Sequence, residues 1–356
     1  MVGTTRTRGI NMRFQLWHSL KISMTIIGTM IGAGFASGRE IWEFFGSYGD
    51  GSSSIILLST FLTFTSTVVI LKISWKYKTQ HYSEVLNQVI GARMSRVFDY
   101  LVMLFLLTST LVMVAGSGAT FQQWNSSYTS GVLVMVAAVL LILLFDLKGL
   151  MSMNSVLIPV MVSVLIFVCL QFLQNSGWFL TTDHPKTTSL PVWPSAITYT
   201  AFNTMSLLAV LSTLGRQIRH PAEIWISGGV SSLCLGMLAF LYNYSLLRVD
   251  SLISQYEIPL FALVRDYSPI WVLSISLVLW MAIYTTAVSN VYGLSHRLSE
   301  LLPFPPWVIG GTVILLLVPL TRLGFATLVN YLYPLFGVIN LFILTMVLLY
   351  PIMKEG

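Results

Sequence analysis

Gly28-Thr29-Met30-Ile31-Gly32-Ala33-Gly34-Phe35-Ala36-Ser37-Gly38-Arg39-Glu40 lies inside an apolar stretch running from about residue 17 to residue 46. Four glycines fall within eleven residues here, and each costs a helix interior roughly 1 kcal/mol relative to alanine. Small residues also serve close packing between membrane helices, but Gly32-Ala33-Gly34 followed by Gly38 exceeds that spacing. Ser37 stands three residues before Glu40, the pattern of a capping box at a fresh helix start. The stretch therefore predicts one helix stopping near Ile31 and another beginning near Ser37, in mid-membrane. A break of this kind strands backbone N–H and C=O groups, which hydrocarbon tolerates only around a protected cavity or a ligand. The new helix start attracts anionic groups and the freed carbonyls attract cations. Gly32, Ala33 and Gly34 would let a ligand approach the main chain, with Phe35 and Ser37 beside it. Arg39, Glu40 and Glu43 are charges within the span, candidates for gating or coupling. Their structural alternatives are a cap for Glu40 and an Arg39–Glu43 pair one turn apart.

Working outward, the chain of 356 residues is 55% hydrophobic and only 9% charged, where soluble proteins carry about 25% charged residues. A membrane-crossing helix needs roughly 20 apolar residues. The pattern predicts ten spans, at about 17–46, 51–73, 97–122, 130–147, 150–173, 191–215, 223–247, 269–293, 305–322 and 327–350. The first is too long for a cleaved signal and is read as a membrane helix. Gln122-Gln123-Trp124-Asn125 separates the third from the fourth, and Asp146-Leu147-Lys148-Gly149 the fourth from the fifth.

The basic residues sort cleanly between the two sides. With the N-terminus inside, Lys72, Lys76, Lys78, Arg216, Arg219 and Arg297 fall on one side with the arginines before residue 17. Lys186, Arg248, Arg265 and Arg322 fall on the other. The excess marks the cytoplasmic side, which puts both termini in the cytoplasm, with the protein expected in the cytoplasmic (inner) membrane of a bacterium. Scattered singly between apolar runs, these residues do not suggest nucleic-acid binding. Cys169 and Cys234 each stand alone in an apolar run and offer no disulfide framework or metal spacing. Two loops carry patterns of their own. Ser83 would cap a short interfacial helix bearing Val85, Leu86, Val89 and Ile90 and ended by Gly91, and residues 251–268 would fold over the outer face.

Further polar positions stand out inside the spans. Tyr199-Thr200-Ala201-Phe202-Asn203-Thr204 is a polar and aromatic interruption in the sixth, with Tyr199, Phe202 and Asn203 as candidate substrate contacts. Thr108, Ser109 and Thr110 in the third face a cavity or serve packing, and Thr110 is the candidate contact. In the eighth, Ala282-Ile283-Tyr284-Thr285-Thr286 offers a carbonyl and two adjacent hydroxyls, hard oxygen ligands for a small cation.

The run Ile31 to Ile41 resembles the signature of the YkvI-like bacterial membrane proteins, and more distantly Gly-Ala-Gly is similar to the first-helix motif of the amino acid–polyamine–organocation superfamily. The resemblance implies a LeuT-type fold: an all-α membrane protein of ten helices in two inverted five-helix repeats, residues 1–175 and 176–356. Helices one and six would be discontinuous around the substrate. It also implies a sodium site, made by the carbonyls of Gly28, Ile31 and Ala282 with the hydroxyls of Thr285 and Thr286. The function expected is secondary active transport of a small organic solute, an amino acid or related amine, coupled to sodium or to protons, with no other cofactor. A ligand-sensing receptor using the same pocket is the alternative from another class. An enzyme is not expected, because the five histidines form no paired motif. Substrate and bilayer are the partners expected; oligomeric state is not legible.

Overall fold

The break expected in the first apolar stretch is present. The computed structural model describes residues 3–124, 126–143, 148–177, 191–299 and 301–355. In it α1 (Gly3–Met30) gives way to a one-turn α2 (Ala33–Ala36) and then α3 (Arg39–Phe44). Gly32 is extended, at φ −87° and ψ −174°. Its N–H donates to Met30 O at 3.0 Å rather than to Gly28 O one turn back, so Gly28 O loses its helical partner. A second turn follows at Gly38, which caps α3 in the left-handed region at φ +80°, a conformation glycine adopts at little steric cost. The capping box expected at Ser37 is thereby corrected. Ser37 Oγ donates to Gly34 O at 2.9 Å and accepts from Arg39 N at 3.3 Å, because the left-handed turn intervenes before the helix of Glu40 begins.

A 3-10 segment (Gly46–Gly51) leads into α4 (Ser52–Tyr77), α5 (Tyr82–Gln122), α6 (Tyr128–Leu143) and α7 (Lys148–Ser176). The remainder comprises α8 (Val192–Leu211), α9 (Pro221–Leu247), the short α10 (Asp250–Ile253) and α11 (Leu260–Leu263), α12 (Pro269–Ser299), α13 (Pro306–Leu317) and α14 (Phe325–Glu355). Gly91, at φ +80°, divides α5 into a short first piece, expected above at the membrane interface, and a long second one. The first piece buries Val85, Leu86 and Val89 and follows His81 as N-cap, before the expected Ser83 could serve. Asn125, Asp146, Leu147 and Lys186, used above to mark loops and sides, lie outside the described residues.

Among the described residues, eight helices are long and apolar enough to cross a bilayer. Of the ten spans expected, the first is represented by the broken α1–α3 and the fourth by α6, at 16 residues a shorter apolar helix. Large apolar side chains point outward along the spans, as with Leu57 at 76% exposed, Ile270 at 77% and Leu316 at 70%. Such a surface suits hydrocarbon rather than water.

The packing falls into two interlocked groups. α1 lies on α9, and α4 on both α8 and α9; separately, α5 lies on α6 and α12, and α13 on α6 and α12. These contacts come in the matched pairs that an internal repeat requires. α1 on α9 corresponds to α8 on α4, and α5 on α6 to α12 on α13. The boundary expected at residue 175 falls in the last turn of α7.

The sixth span departs from expectation, since α8 is continuous from Val192 to Leu211. Its polar side chains are satisfied without unwinding: Thr200 bonds Ala196 O at 2.9 Å, Thr204 bonds Thr200 O at 2.7 Å, and Asn203 Nδ2 bonds Tyr199 O at 3.2 Å. Hydroxyls bonded to their own helix in this way bend it at most. α8 tightens only past Leu211, into a 3-10 turn over Ser212–Leu214.

The helix ends define two poles. At one, Thr79 Oγ1 bonds Ser212 O at 2.8 Å, Arg297 Nη2 bonds the Tyr82 hydroxyl at 2.9 Å, and the Tyr350 and Tyr77 hydroxyls meet at 3.2 Å. This basic pole also holds the contact of His18 Nδ1 with Glu223 Oε2 at 3.0 Å, which ties the middle of α1 to the start of α9. Arg39, Glu257 and Asn330 gather at the opposite pole.

Candidate functional site

A cavity of about 1100 Å³ runs from the basic pole to the break in the first helix. Its mouth is formed by Trp17, Lys21 and Tyr82, and its inner end by Gly32, Ala33, Gly34, Glu40, Phe105, Phe202, Asn203 and Tyr333. Exposure falls along each wall toward the inner end. On α1, Lys21 and Met24 are exposed and Gly28 is half-buried, and Ala33 at the start of α2 is buried; on α8, Ala209 is exposed, Ser206 half-buried and Phe202 buried. The shaft is therefore reachable from one pole and closes at the break.

The inner end is aromatic. Phe202 and Tyr333 stack with ring centroids 4.4 Å apart, Phe105 meets Phe202 edge-on at 6.0 Å, and Phe44 backs the stack at 6.1 Å. Glu40 shares this end of the cavity and is 3% exposed. The Asn203 side chain is a hydrogen-bonding neighbour of its carboxyl group, but Oε1 has no partner among the described residues. Gly34 makes this convergence possible. A Cβ there would stand 2.6 Å from Tyr333 Cε2 and 2.8 Å from Glu40 Oε2. A Cβ on Gly32 would meet nothing within 4 Å, so Gly32 presents bare main chain to the cavity.

The opposite pole is shut by three sets of contacts. Arg39 Nε donates to Asn330 Oδ1 at 3.2 Å and pairs with Glu43 Oε1 at 3.5 Å. Glu257 Oε2 accepts from Phe325 N at 2.7 Å and Ala326 N at 3.3 Å, capping the start of α14. Leu260 N donates to Ser37 O at 2.9 Å, so the loop of residues 251–268 covers this face as expected from its pattern.

The structure brings Gly28, Gly32, Ala33, Gly34, Glu40, Phe202, Asn203 and Thr286 onto one cavity wall. Other candidates fall behind it. Phe35 and Ser37 are fully buried on the far side of α2, and Tyr199 packs against Phe44 and Phe45 with centroids 5.4 and 4.7 Å away. Thr110 is fully buried and bonds Leu106 O at 2.7 Å. Its neighbour Ser109 faces the cavity instead, accepting from Asn290 Nδ2 at 2.8 Å. Of the cation set, Gly28 and Thr286 are on the wall, while Ile31, Ala282 and Thr285 are buried beside it. Thr285 and Thr286 both donate to Ala282 O, at 3.2 and 2.9 Å, which leaves the hydroxyl lone pairs available to a cation.

Several wall residues had not been singled out: Tyr333, Phe105 and Ile158. Ile158 fills the space that a side chain on Gly28 would occupy. Tyr333 stands beside Pro334 inside α14, where nothing in the residue order marks it as a wall position.

A first helix broken at its middle, two interlocked helix groups and a cavity ending at the break together define a polytopic membrane protein of the LeuT-type fold. Solved structures agree on the fold. The inward-facing conformation of Mhp1 matches with a TM-score of 0.62 at 12% identity, over 94% of this chain and 76% of that one. A mutant of the Eremococcus coleocola manganese transporter matches with a TM-score of 0.60 at 16% identity, over 95% of this chain and 79% of that one. The chain belongs to the family of the uncharacterized protein YyaD of Bacillus subtilis (strain 168), to which it is 36% identical over 341 residues, covering 96% of this chain and 99% of that protein. The membrane protein YkvI of the same organism is 27% identical over 334 residues, 90% of this chain and 92% of that one. No family model matches the chain.

Proposed function

We propose that the protein is a secondary active transporter of a small organic solute, an amino acid or related amine, working by alternating access. The cavity is the observation that carries this reading. It reaches the broken helix from one pole while Arg39, Asn330 and Leu260 close the other. A site open to one side at a time, bordered by irregular main chain, is what alternating access requires. The excess of Lys and Arg at the basic pole supports a cytoplasmic location for that pole. It follows that both termini are cytoplasmic, that the protein sits in the cytoplasmic membrane of a bacterium, and that the conformation is inward-open.

Sodium is the coupling ion in this reading. Gly28 O has lost its helical partner, and Thr286 shares the cavity wall with it; Ile31, Ala282 and Thr285 complete the set. These ligands are all neutral, so a weak site is expected. Sodium there would join α1 of one packing group to α12 of the other. It would thus favour one gate state and couple to solute through a difference in affinity. Proton coupling is the second reading, favoured by the unpartnered carboxyl oxygen of Glu40.

Purified protein in liposomes, supplied with labelled amino acids and amines, separates these. Accumulation driven by a sodium gradient is the expected result. Equal uptake in potassium that follows an imposed pH gradient would replace sodium by protons. Binding with no flux would contradict transport and favour a receptor.

A further inference from the structure

We propose that the inner end of the cavity is a subsite for an organic ammonium group, with Glu40 as its counter-ion and the rings of Phe202 and Tyr333 as its walls. The inference rests on reading this cavity as the solute site and names the class of solute. Glu40 is 3% exposed and its Oε1 has no partner among the described residues. A carboxyl group removed from water needs a cation or a proton to offset its desolvation, and ionisable groups at membrane depth mark solute or ion paths.

Among the described residues, no cation of the chain meets this need. Arg39, the preceding residue, turns to Glu43 and Asn330 at the closed pole. Lys21 is the one other charged side chain among the described residues of the cavity wall and stands at its mouth. Met30 lies nine positions beyond Lys21 on α1, about 13 Å along a helix. The remaining inner lining is neutral and aromatic. The faces of Phe and Tyr attract ammonium groups, and the rings of Phe202, Tyr333 and Phe105 line the same inner end of the cavity as Glu40.

The same geometry disfavours a carboxylate on the solute. α2 has only four residues, too short to accumulate a useful positive end, and Glu40 repels a second carboxylate. The class is therefore an amine without an adjacent acid group, rather than a zwitterionic amino acid. Asn203, already a neighbour of the Glu40 carboxyl, is placed to hold an N–H or hydroxyl next to the charge.

The experiment is equilibrium binding to the full-length protein in nanodiscs, which requires no flux. Phenethylammonium, tetramethylammonium and butane-1,4-diammonium are compared with 2-phenylethanol and phenylacetate. At least one ammonium probe should bind, and phenethylammonium at least tenfold tighter than 2-phenylethanol and phenylacetate. Glu40→Gln should weaken ammonium binding at least tenfold and leave 2-phenylethanol unchanged; Phe202→Leu should weaken it severalfold. Reaction of Glu40 with a carbodiimide, located by peptide mass spectrometry, should be slowed by the ammonium probe in wild-type protein, which decides the matter even if E40Q does not fold. Absence of binding by all three ammonium probes, equal affinity for the neutral analogue, or an unaffected E40Q variant would overturn the proposal. Flux of a neutral solute without ammonium binding would sink this subsite and keep the transporter; ammonium binding without flux would do the reverse.

Discussion

Leu260 donates its amide hydrogen to the carbonyl of Ser37 across 2.9 Å, fastening the start of α11 to the turn between α2 and α3. Tyr242 adds a second tie from α9, its hydroxyl donating to Ala36 O at 3.2 Å. A side chain on Gly38 would strike that hydroxyl. The closed pole is thus held on main-chain atoms of the broken helix, with the Arg39–Asn330 bond as its one direct side-chain tie from α3 to α14 among the described residues.

Asn330→Ala should loosen this closure without unfolding the chain. Loss of one such bond costs about 1 kcal/mol, roughly a fivefold shift in population. In a background lacking the exposed Cys234, a cysteine placed by Ser37→Cys should react severalfold faster with an impermeant maleimide added at the closed face. An unchanged rate would show that the loop alone carries the closure.

The two glycines at the break should behave differently. Gly32→Ala meets open space and should leave thermal stability within about 1 kcal/mol of wild type while weakening solute binding. Gly34→Val must displace Tyr333 and Glu40, and overpacking of this kind costs about 1–3 kcal/mol. A melting temperature for G34V equal to that of wild type would mean that the Tyr333–Glu40 approach is not as tight as described.

The break was legible in the sequence because glycine density acts locally, and the main chain does leave the helix after Met30. Where it resumes was not legible. Ser37 and Glu40 have capping-box spacing, yet the left-handed Gly38 takes the cap, and nothing in the residue order distinguishes the two. The continuity of α8 was hidden for a related reason. Thr200, Asn203 and Thr204 look the same in a sequence whether they line a gap or bond their own helix, as they do. Register explains Thr110 and Ser109: one residue is a rotation of about 100° on a helix, enough to exchange a wall position for a buried one. Tyr333 and Phe105 come to the site only through packing between elements far apart in sequence.

Replacing Thr285 and Thr286 together by alanine and valine should abolish sodium dependence of uptake and leave the protein folded. Both hydroxyls bond within their own helix, so their removal deprives no other helix of a partner. Sodium-stimulated uptake that survives in the double variant would exclude these hydroxyls as ligands.

Cysteines introduced one at a time at Lys78, Arg219 and Arg297 should react only with reagent on the cytoplasmic side, and those at Asp50 and Ser126 only from outside. Position 183, also expected outside, lies beyond the described residues. Labelling of 219 and 126 from the same face would contradict the inverted arrangement of the two repeats.

Solute flux through a Gly32→Cys variant, measured before and after reaction with a methanethiosulfonate, tests the central claim most directly, because a side chain at this position has nothing within 4 Å and Gly32 shares the inner end of the cavity with Glu40. The account predicts that reagent entering from the basic pole modifies the introduced thiol, that solute protects it, and that complete modification stops flux. Full flux through a completely modified protein would contradict it, since the solute would then be passing by another route.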